Sequence, residues 1–580
     1  MKKLMLGNEA VARGMYEAGC RVVSSYPGTP STEITEYAAT YDEIFCEWAP
    51  NEKVAAEVAC GASMAGARSM CGMKHVGLNV AADPVYTASY TGVNAGMLLV
   101  VADDPGMHSS QNEQDSRHHA MASKTMMLEP SDSAECLAFT KLAYALSEQF
   151  DTPVMLRLTT RIAHSRSIVE TGDRADDTLK DYVKNPGKNV MLPAMARERH
   201  VFVEQRMRDI AAWAETAEIN RVEDNGGKVG VITAGDCYCY AREALGDQVS
   251  YLKLGCVYPL PEKLIRDFAS RYETVYVIEE LDDVIETFCR KIGVSVHGKD
   301  VFPLCGEFSQ AIVREKILGN TLPSRQTDLN IPGRPPALCA GCPHRSLFYA
   351  LKKLGVMVSG DIGCYTLGAT APLSMMDTCV CMGASVSMLH GHNKARPDSY
   401  KKSVAVIGDS TFIHSGITGL IDIAYNQGNS TVIVLDNSIT GMTGHQQNPT
   451  TGYTIKGDPT SAVNLEALAH ACGIRRVKVV DPYHVDETIA AIREELEHDE
   501  PSLIISRRPC VLLKKVKHNP PFRIDPDKCI GCKMCMKQGC PAISFKDKKS
   551  KIDFTQCVGC GVCIQLCKFG AIQASEEEKA

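Results

Sequence analysis

The C-terminal part of the chain contains cysteines at a spacing that few folds can accommodate. Two runs follow the pattern C-x-x-C-x-x-C, and each is followed by a fourth cysteine a few residues later. The eight residues are Cys529, Cys532, Cys535 and Cys540 in the first run, and Cys557, Cys560, Cys563 and Cys567 in the second. Zinc is the alternative metal, but eight thiols in two such runs exceed what one tetrahedral zinc site requires. The spacing therefore predicts a segment that folds around two metal–sulfur centres.

Length, charge and cysteine content indicate the compartment and the number of domains. The chain has 580 residues, too many for one hydrophobic core, which suggests about four domains. Its 25 cysteines come without a recognisable signal peptide, so we expect a cytoplasmic protein whose reduced thiols bind metals or act in catalysis. The net charge of −7 argues against nucleic acid as a main partner. No apolar run approaches the roughly 20 residues of a membrane span.

The cysteine pattern of the tail is similar to that of the two-cluster bacterial ferredoxins. In those proteins the fourth cysteine of each run ligates the other cluster. The similarity implies one [4Fe–4S] cluster on Cys529, Cys532, Cys535 and Cys567, and a second on Cys557, Cys560, Cys563 and Cys540. Two departures are one extra residue before Cys540 and Lys568 in place of the usual proline. The extra residue leaves a [3Fe–4S] form open at one site, and we predict a ferredoxin domain over residues 520–580.

A second informative stretch runs from Val404 to Gln446. An apolar strand leads into Gly408-Asp409-Ser410, a helical segment follows, and a second strand ends in Asp436-Asn437. The pattern predicts a βαβ unit whose two strand ends meet at the edge where parallel sheets bind ligands. Carboxylate and amide oxygens there suit Mg²⁺ holding a diphosphate, and Gly408 allows the backbone to approach a phosphate closely. The alternative is an ordinary βαβ crossover with polar strand ends.

This stretch resembles the thiamine diphosphate signature, Gly-Asp-Gly followed a little under thirty residues later by Asn. Ser410 stands where the signature has its third glycine. The resemblance implies that the side chains of Asp409 and Asn437 and the carbonyl group of Ile439 ligate Mg²⁺. It also assigns Gly408 and Ser410 to the cofactor site. We expect these residues in a diphosphate-binding domain over residues 337–515.

The N-terminal α/β region, residues 1–165, contains Tyr26-Pro-Gly-Thr-Pro-Ser-Thr after a short strand. This element resembles the pyrimidine-binding domain of the 2-oxoacid:ferredoxin oxidoreductases. The resemblance implies that Thr29 contacts substrate or cofactor. It also implies that Glu52, which precedes Gly61-Ala62, activates thiamine diphosphate through N1′ of the aminopyrimidine. Glu57 is the rival one helical turn further on, and a solvent-exposed helix charge is the alternative for both.

Further cysteines surround the βαβ unit. They comprise the C-x-x-C pair Cys339 and Cys342, then Cys364, Cys379 and Cys381, and finally Cys510. In related oxidoreductases, a cluster next to the cofactor takes a C-x-x-C pair, a third cysteine some residues later and one near the domain's end. The resemblance therefore implies a third [4Fe–4S] cluster on Cys339, Cys342, Cys364 and Cys510. The alternatives are buried thiols without a ligand, or a zinc or redox site.

The remaining segments complete the predicted α/β architecture. Residues 166–225 are charge-rich and then helical, and we interpret them as a helical linker. Residues 226–318 start a new α/β unit that resembles the transketolase C-terminal domain, which is mostly architectural in this family. Residues 319–336 are rich in proline and form the next linker. The polar loop from Asp103 to His119 is long for a connector, which predicts a functional or mobile segment.

The chain as a whole resembles the α subunits of family members that oxidise arylpyruvates such as indolepyruvate. Met73-Lys-His-Val-Gly-Leu-Asn and Gly360-Asp-Ile-Gly-Cys-Tyr-Thr add to the resemblance. It implies oxidative decarboxylation of arylpyruvates, formed in aromatic amino acid catabolism, with coenzyme A to arylacetyl-CoA and CO₂. Electrons would pass through the clusters to ferredoxin. The resemblance further implies a smaller β subunit, an α2β2 or similar assembly, and an anaerobic host.

Met442 bears on the substrate range. It stands where the pyruvate enzymes carry asparagine, and methionine fills irregular apolar space, which favours a larger and less polar substrate. Two other functions stay open, namely a 2-oxoacid:ferredoxin oxidoreductase of another substrate range and a non-oxidative thiamine-dependent decarboxylase. The decarboxylase would share Glu52, Asp409 and Asn437 but would not require the cysteine-rich tail. A pure electron-transfer protein would not require the α/β domains.

Overall fold

The computed structural model describes residues 1–176, 178–321, 329–333 and 335–574. It divides into two compact units, Met1–Asp328 and Leu329–Ala580. Residues 322–328 and 334 of the predicted linker 319–336 lie outside the described residues, as do the last six residues of the predicted ferredoxin segment. The finer division into six segments stays a prediction.

The first unit alternates strands and helices along most of its length. Its strands are β1 (Lys2–Leu6), β2 (Val22–Ser25), β3 (Phe45–Trp48), β4 (Ser69–Lys74), β5 (Met97–Asp103), β6 (Met126–Leu128), β7 (Val154–Thr159), β8 (Arg166–Glu170), β9 (Arg221–Glu223), β10 (Val229–Ala234), β11 (Ser250–Leu254), β12 (Cys256–Tyr258) and β13 (Thr274–Ile278). Its helices are α1 (Gly7–Glu17), α2 (Thr32–Ala38), α3 (Glu52–Met64), α4 (His75–Val80), α5 (Ala82–Thr91), α6 (Arg117–Ser123), α7 (Ser133–Phe150), α8 (Thr160–His164), α9 (Pro186–Asn189), α10 (Pro193–Ala214), α11 (Gly235–Leu245), α12 (Glu262–Ala269), α13 (Val284–Lys291) and α14 (Gln310–Leu318).

The main sheet of the first unit has seven strands in the order β12-β6-β7-β5-β4-β2-β3. All neighbours are parallel except β12 and β6. Every residue of β4, β5 and β7 is buried, as expected for parallel strands covered by helices on both faces. The predicted α/β class is confirmed, and the carboxyl ends of β2, β4 and β5 form one edge of this sheet.

Two strands of the first unit connect regions that are distant in sequence. β12 lies in the predicted segment 226–318, yet it pairs with β6 in the main sheet rather than with the second sheet, whose order is β13-β10-β11-β9. β8 lies in the predicted helical linker and pairs antiparallel with β1 at the N-terminus. Both strands are short, and their partners are far away in the chain, so local sequence carries little signal for them. The helical part of the linker corresponds to α10.

The second unit contains a five-stranded sheet, entirely parallel, in the order β14-β15-β16-β18-β17. Its strands are β14 (Met357–Ser359), β15 (Ser403–Gly408), β16 (Thr431–Asp436), β17 (Arg476–Val480) and β18 (Ser502–Arg507). Its helices are α15 (Pro343–Leu354), α16 (Ala384–Ala395), α17 (Asp409–Thr411), α18 (Ile417–Tyr425), α19 (Leu465–Ala471) and α20 (Val485–Leu496). One π-helical turn, Phe412–Gly416, joins α17 to α18. This is the predicted βαβ unit from Val404 onward.

The cysteine-rich tail is small and mostly irregular. It contains β19 (Phe522–Ile524), β20 (Ile543–Lys546), β21 (Lys549–Ile552), α21 (Val562–Gln565) and β22 (Ile572–Ala574). β19 pairs with β22 and β20 with β21, both antiparallel. Its buried core includes two cysteines, Cys535 and Cys563, beside Ile543 and Ile572. Over the described part of the chain, no helix combines the length and the apolarity that crossing a bilayer requires.

Candidate active site

Asp409 lies at the carboxyl end of β15 in the second unit. It is 2% exposed, and its carboxylate accepts hydrogen bonds from the Ser410 amide (2.8 Å) and the Thr450 hydroxyl (3.3 Å). Burial raises the pKa of Asp409 to about 7, and the neighbouring negative charge of Asp436 contributes. Among the described residues no basic side chain forms an ion pair with Asp409. A bound cation would remove this electrostatic cost, so the site fits the predicted Mg²⁺.

Asn437 follows the next strand, β16, at the same edge. The register pairs Gly408 with Leu435, so the residues that follow the two strands converge. The amide of Ile439 donates to the side-chain oxygen of Asn437 at 3.2 Å, and the Thr440 hydroxyl donates to Ser410 Oγ at 3.0 Å. The predicted ligands and Ser410 therefore lie at one edge, and their oxygens are the type that Mg²⁺ prefers.

Gly408 and the unpredicted residue His344 define the surroundings of this edge. A Cβ atom at Gly408 would lie 2.7 Å from Cε1 of Tyr365, so the ring occupies the space that a side chain would need. His344, at the start of α15, lies edge-on to Tyr365, and its Nε2 is 3.4 Å from Nδ2 of Asn437. Burial lowers the pKa of His344 to about 4, so the ring is neutral at pH 7.

Of the four cysteines predicted to hold a third cluster, Cys510 contacts Asn437 and Cys364 lies near Gly441. The amide of Cys510 donates to the carbonyl of Asn437 at 2.9 Å, and a Cβ at Gly441 would lie 3.4 Å from Sγ of Cys364. Burial raises the pKa of Cys364 to about 11, and the thiolates of Cys510 and Cys339 contribute. Burial likewise raises the pKa of Cys342 to about 12, with a contribution from Cys339 and Cys364. These effects link Cys339, Cys342, Cys364 and Cys510 to one another, and their role as cluster ligands stays a prediction.

The tail cysteines form the two groups that the similarity to two-cluster ferredoxins implies. Burial raises the pKa of Cys535, and the thiolates of Cys529, Cys532 and Cys567 raise it further. These four residues also line one pocket. Burial raises the pKa of Cys563, with further contributions from Cys560, Cys540 and Cys557. Four thiols that oppose one another's ionisation are what an iron–sulfur cluster would stabilise as thiolates.

The loop that carries Cys339 and Cys342 packs directly on the loop that carries Cys557 and Cys560. A Cβ at Gly341 would lie 2.1 Å from Cγ2 of Val558. Arg345 is 4% exposed and donates to the carbonyl groups of Cys339 (2.8 Å) and Gly539. The buried guanidinium of Arg345 therefore bridges the loop of Cys339 and the tail residue that precedes Cys540. The sequence did not indicate this contact.

Glu52 begins α3 in the first unit and is 5% exposed. Asn51 caps the helix by accepting a hydrogen bond from the Val54 amide at 3.0 Å, which fixes where the helix starts. A Cβ at Gly77, in α4, would lie 2.5 Å from Oε1 of Glu52. Glu57 is exposed and forms an ion pair with Lys53. Of the two candidates, only Glu52 has the burial that the predicted activating role requires.

Thr29 lies in the turn after β2, next to two elements of the same sheet edge. Ser109 in the polar loop donates to the Thr29 carbonyl at 3.4 Å, and a Cβ at Gly28 would lie 3.5 Å from Cβ of Lys74. The polar loop is anchored, because the Ser109 amide and the Ser110 hydroxyl donate to Asp104 at 2.8 Å and 2.6 Å. Thr29 and Glu52 are thus both adjacent to the segment from Lys74 to Gly77.

Three family models match the chain. "Pyruvate flavodoxin/ferredoxin oxidoreductase, thiamine diP-bdg" matches residues 13–229, "Thiamine pyrophosphate enzyme, C-terminal TPP binding domain" matches 361–506, and "4Fe-4S dicluster domain" matches 522–568. The chain is also similar to proteins named indolepyruvate oxidoreductase subunit IorA. The protein of Archaeoglobus fulgidus is 39% identical over 99% of this chain and 98% of its own length. Those of Methanothermobacter marburgensis (40%; 98% and 97%) and Pyrococcus horikoshii (39%; 99% and 97%) are equally similar.

The chain belongs to the family of indolepyruvate oxidoreductase IorA subunits. The resemblance stated from the sequence is thereby confirmed. A member of this family is a subunit of a 2-oxoacid:ferredoxin oxidoreductase that depends on thiamine diphosphate and iron–sulfur clusters. The matched models cover the Glu52 region, the Asp409 edge and the tail cysteines. The roles of the individual site residues stay proposals.

The third cluster can be tested by iron analysis. We expect anaerobically purified protein to contain about twelve iron atoms per chain, because three groups of four thiols are in place. Cys510→Ser should lower this number by about four and remove one cluster signal from the EPR spectrum of the reduced protein. Cys379→Ser is the matched control, since Cys379 is exposed and outside the group. About eight iron atoms in the unmodified protein would contradict the third cluster.

Proposed function

We propose that this chain oxidatively decarboxylates arylpyruvates of the indolepyruvate type, with coenzyme A as acyl acceptor and ferredoxin as electron acceptor. The observation that carries the proposal is the contact between the Asp409–Asn437 edge and a thiol group, through the hydrogen bond from the Cys510 amide to the Asn437 carbonyl. A non-oxidative decarboxylase has no need of thiols there. The arylpyruvate assignment is supported by similarity over nearly the whole length to proteins named indolepyruvate oxidoreductase.

We assign the following roles in this reaction to residues of the chain. Asp409, Asn437 and the Ile439 carbonyl would ligate Mg²⁺, which would neutralise a bound diphosphate. Glu52 would hold a proton at N1′ of the aminopyrimidine. When bound, thiamine diphosphate supplies the electron sink that decarboxylation requires, and the clusters accept electrons one at a time. The cysteine group of Cys339, Cys342, Cys364 and Cys510 lies nearest to Asn437, and its loop touches that of Cys557 and Cys560. This order gives a continuous route through the second unit.

Met442 is the residue we assign to substrate range. It is 51% exposed and follows Gly441, which approaches Cys364. Its thioether offers an apolar contact without a hydrogen-bond donor, which suits an aromatic side chain better than a short polar one. The partners in this proposal are a smaller β subunit and ferredoxin. We expect an α2β2 or similar assembly.

The proposal is tested with the anaerobically purified complex of both subunits. Coenzyme A-dependent ferredoxin reduction is measured with indolepyruvate, phenylpyruvate, pyruvate and 2-oxoglutarate. We expect kcat/KM for the arylpyruvates to exceed that for pyruvate by at least about 100-fold, because the larger side chain adds apolar contact. Met442→Asn should lower this ratio several-fold, whereas Ile421→Asn, at a similarly exposed position on α18, should not. A preference for pyruvate or 2-oxoglutarate, or aldehyde formation without coenzyme A, would refute the proposal.

A further inference from the structure

Lys74 carries a buried ammonium group that pairs with no carboxylate among the described residues. It is the last residue of β4, at the carboxyl edge of the main sheet, and is 8% exposed. Its Nζ donates to the carbonyl oxygen of Ser109 at 2.8 Å. In the described portion of the chain, no acidic side chain lies within ion-pair distance of Lys74. Lysine is seldom buried in this way unless an anion compensates its charge.

Asp104, whose charge acts on Lys74, does not serve as that anion. Its carboxylate oxygens accept hydrogen bonds from the Ser109 amide (2.8 Å), the Ser110 hydroxyl (2.6 Å) and the Thr160 hydroxyl (2.7 Å). Burial lowers the pKa of Lys74 to about 8, and the charge of Asp104 offsets only part of this effect. Two of the three ammonium hydrogens are thus available for an anionic ligand.

The position of Lys74 indicates which anion it meets. Its side chain passes Gly28, whose Cβ would lie 3.9 Å from Cδ of Lys74, and Thr29 follows directly. On the other side, α4 begins at His75 and brings Gly77 against the carboxylate of Glu52. The short segment from Lys74 to Gly77 therefore packs against both the turn that carries Thr29 and the carboxylate of Glu52. This is the sheet edge where parallel α/β domains bind their ligands.

We infer that Lys74 binds the carboxylate of the 2-oxo acid substrate, beside Thr29. The inference rests on the proposed function only in requiring a 2-oxo acid, whatever its side chain. A carboxylate is the one charged group that every such substrate carries, and an ammonium donates to it strongly in a dry site. Because this group leaves as CO₂, the ion pair stabilises the bound substrate more than the transition state. Removal of the charge should therefore raise KM far more than it lowers kcat.

Two other roles would also place a lysine here. Lys74 could serve only to hold the polar loop in place through its hydrogen bond to Ser109, or it could form an ion pair with a carboxylate of the β subunit. Lys74→Gln separates the first role from ours, because an amide can still donate to the Ser109 carbonyl but carries no charge. Lys74→Met removes both properties, and Lys74→Arg restores the charge. Lys263→Met, at an exposed site on α12, is the control for loss of a lysine.

The experiment measures competitive inhibition of the two-subunit holoenzyme by a matched pair, 3-phenylpropanoate and 3-phenylpropanamide. We expect Lys74→Gln and Lys74→Met to raise Ki for the acid by about 10- to 100-fold, the value of a charge-assisted hydrogen bond. Ki for the amide should change less than about 2-fold, because it lacks the charge. Lys74→Arg should recover most of the affinity for the acid, and Lys263→Met should leave both values unchanged.

Other outcomes overturn the inference. Equal losses for acid and amide, or normal affinity for the acid in Lys74→Gln, would assign Lys74 to the loop. Loss of the β subunit on gel filtration, with an unchanged ratio of acid to amide, would assign it to the subunit interface. If the enzyme prefers another 2-oxo acid, the arylpyruvate proposal fails separately. The pair is then replaced by the acid and amide that match that substrate, and the same ratio decides the role of Lys74.

Discussion

Replacing Glu52 with glutamine should lower turnover of the holoenzyme by about 10²- to 10⁴-fold. Glutamine has nearly the same size, so it fits against Gly77, whose Cβ position lies only 2.5 Å from Oε1 of Glu52. It cannot hold or release a proton at N1′ of the aminopyrimidine as a carboxyl group does. Coenzyme A-dependent ferredoxin reduction and thiamine diphosphate binding are measured on the same samples, and we expect binding to persist within a few-fold.

Glu57→Gln is the matched control for this variant. Glu57 lies on the same helix, is exposed and forms an ion pair with Lys53, and such pairs contribute little. Its replacement should leave turnover within about 2-fold. Full turnover in Glu52→Gln together with a loss in Glu57→Gln would transfer the activating role to Glu57. Loss of cofactor binding in Glu52→Gln would show a structural role instead.

Asp409→Asn should weaken Mg²⁺-dependent binding of thiamine diphosphate by at least about 100-fold. Loss of a residue that only supports a metal ligand already costs about 10- to 100-fold, and Asp409 is proposed as a direct ligand. The amide keeps the shape of the side chain but not its charge. Cofactor binding is measured by equilibrium dialysis across a Mg²⁺ titration, and the variant should require much more metal for half-saturation.

Stability and a second variant show whether this loss is specific. Asp409 is buried without a basic partner, so the neutral amide should leave the Tm of the metal-free protein equal or higher. Asp422→Asn on α18 is the control, since Asp422 is exposed and contacts only Asn426 among the described side chains. Unchanged binding in Asp409→Asn would remove Asp409 from the site. A strongly lowered Tm would indicate that the carboxylate is needed for folding.

The Asp409–Asn437 edge shows what can be predicted from local sequence patterns. A buried apolar run followed by an acid, and a second run followed by an amide, are sufficient to predict two parallel strands whose ends converge. The structure has this arrangement, with Gly408 in register with Leu435. The grouping of the tail cysteines is a second case, because their spacing carries the similarity to two-cluster ferredoxins that implies it. In both cases the residues that act together are close in sequence or are placed by a regular element.

Other features could not be obtained in this way. Glu52 and Glu57 lie one helical turn apart, but Glu52 is buried against Gly77 whereas Glu57 is exposed. Lys74 meets Ser109, and His344 meets Asn437, across 35 and 93 residues of sequence. β12 joins the main sheet although its sequence neighbours form another one. Each depends on a contact between distant segments, which a single sequence does not encode as a local pattern.

The sequence by itself determined the α/β class, because strand periodicity is a local property. Its motifs also carried the resemblances that gave the family and implied the grouping of the tail cysteines. The tertiary structure decided which glutamate is buried, that the Cys339–Cys342 loop touches the Cys557–Cys560 loop, and that Lys74 lacks an acidic partner within the described residues. Burial and charge compensation depend on every neighbour in space. They become defined only when segments distant in the chain have packed together.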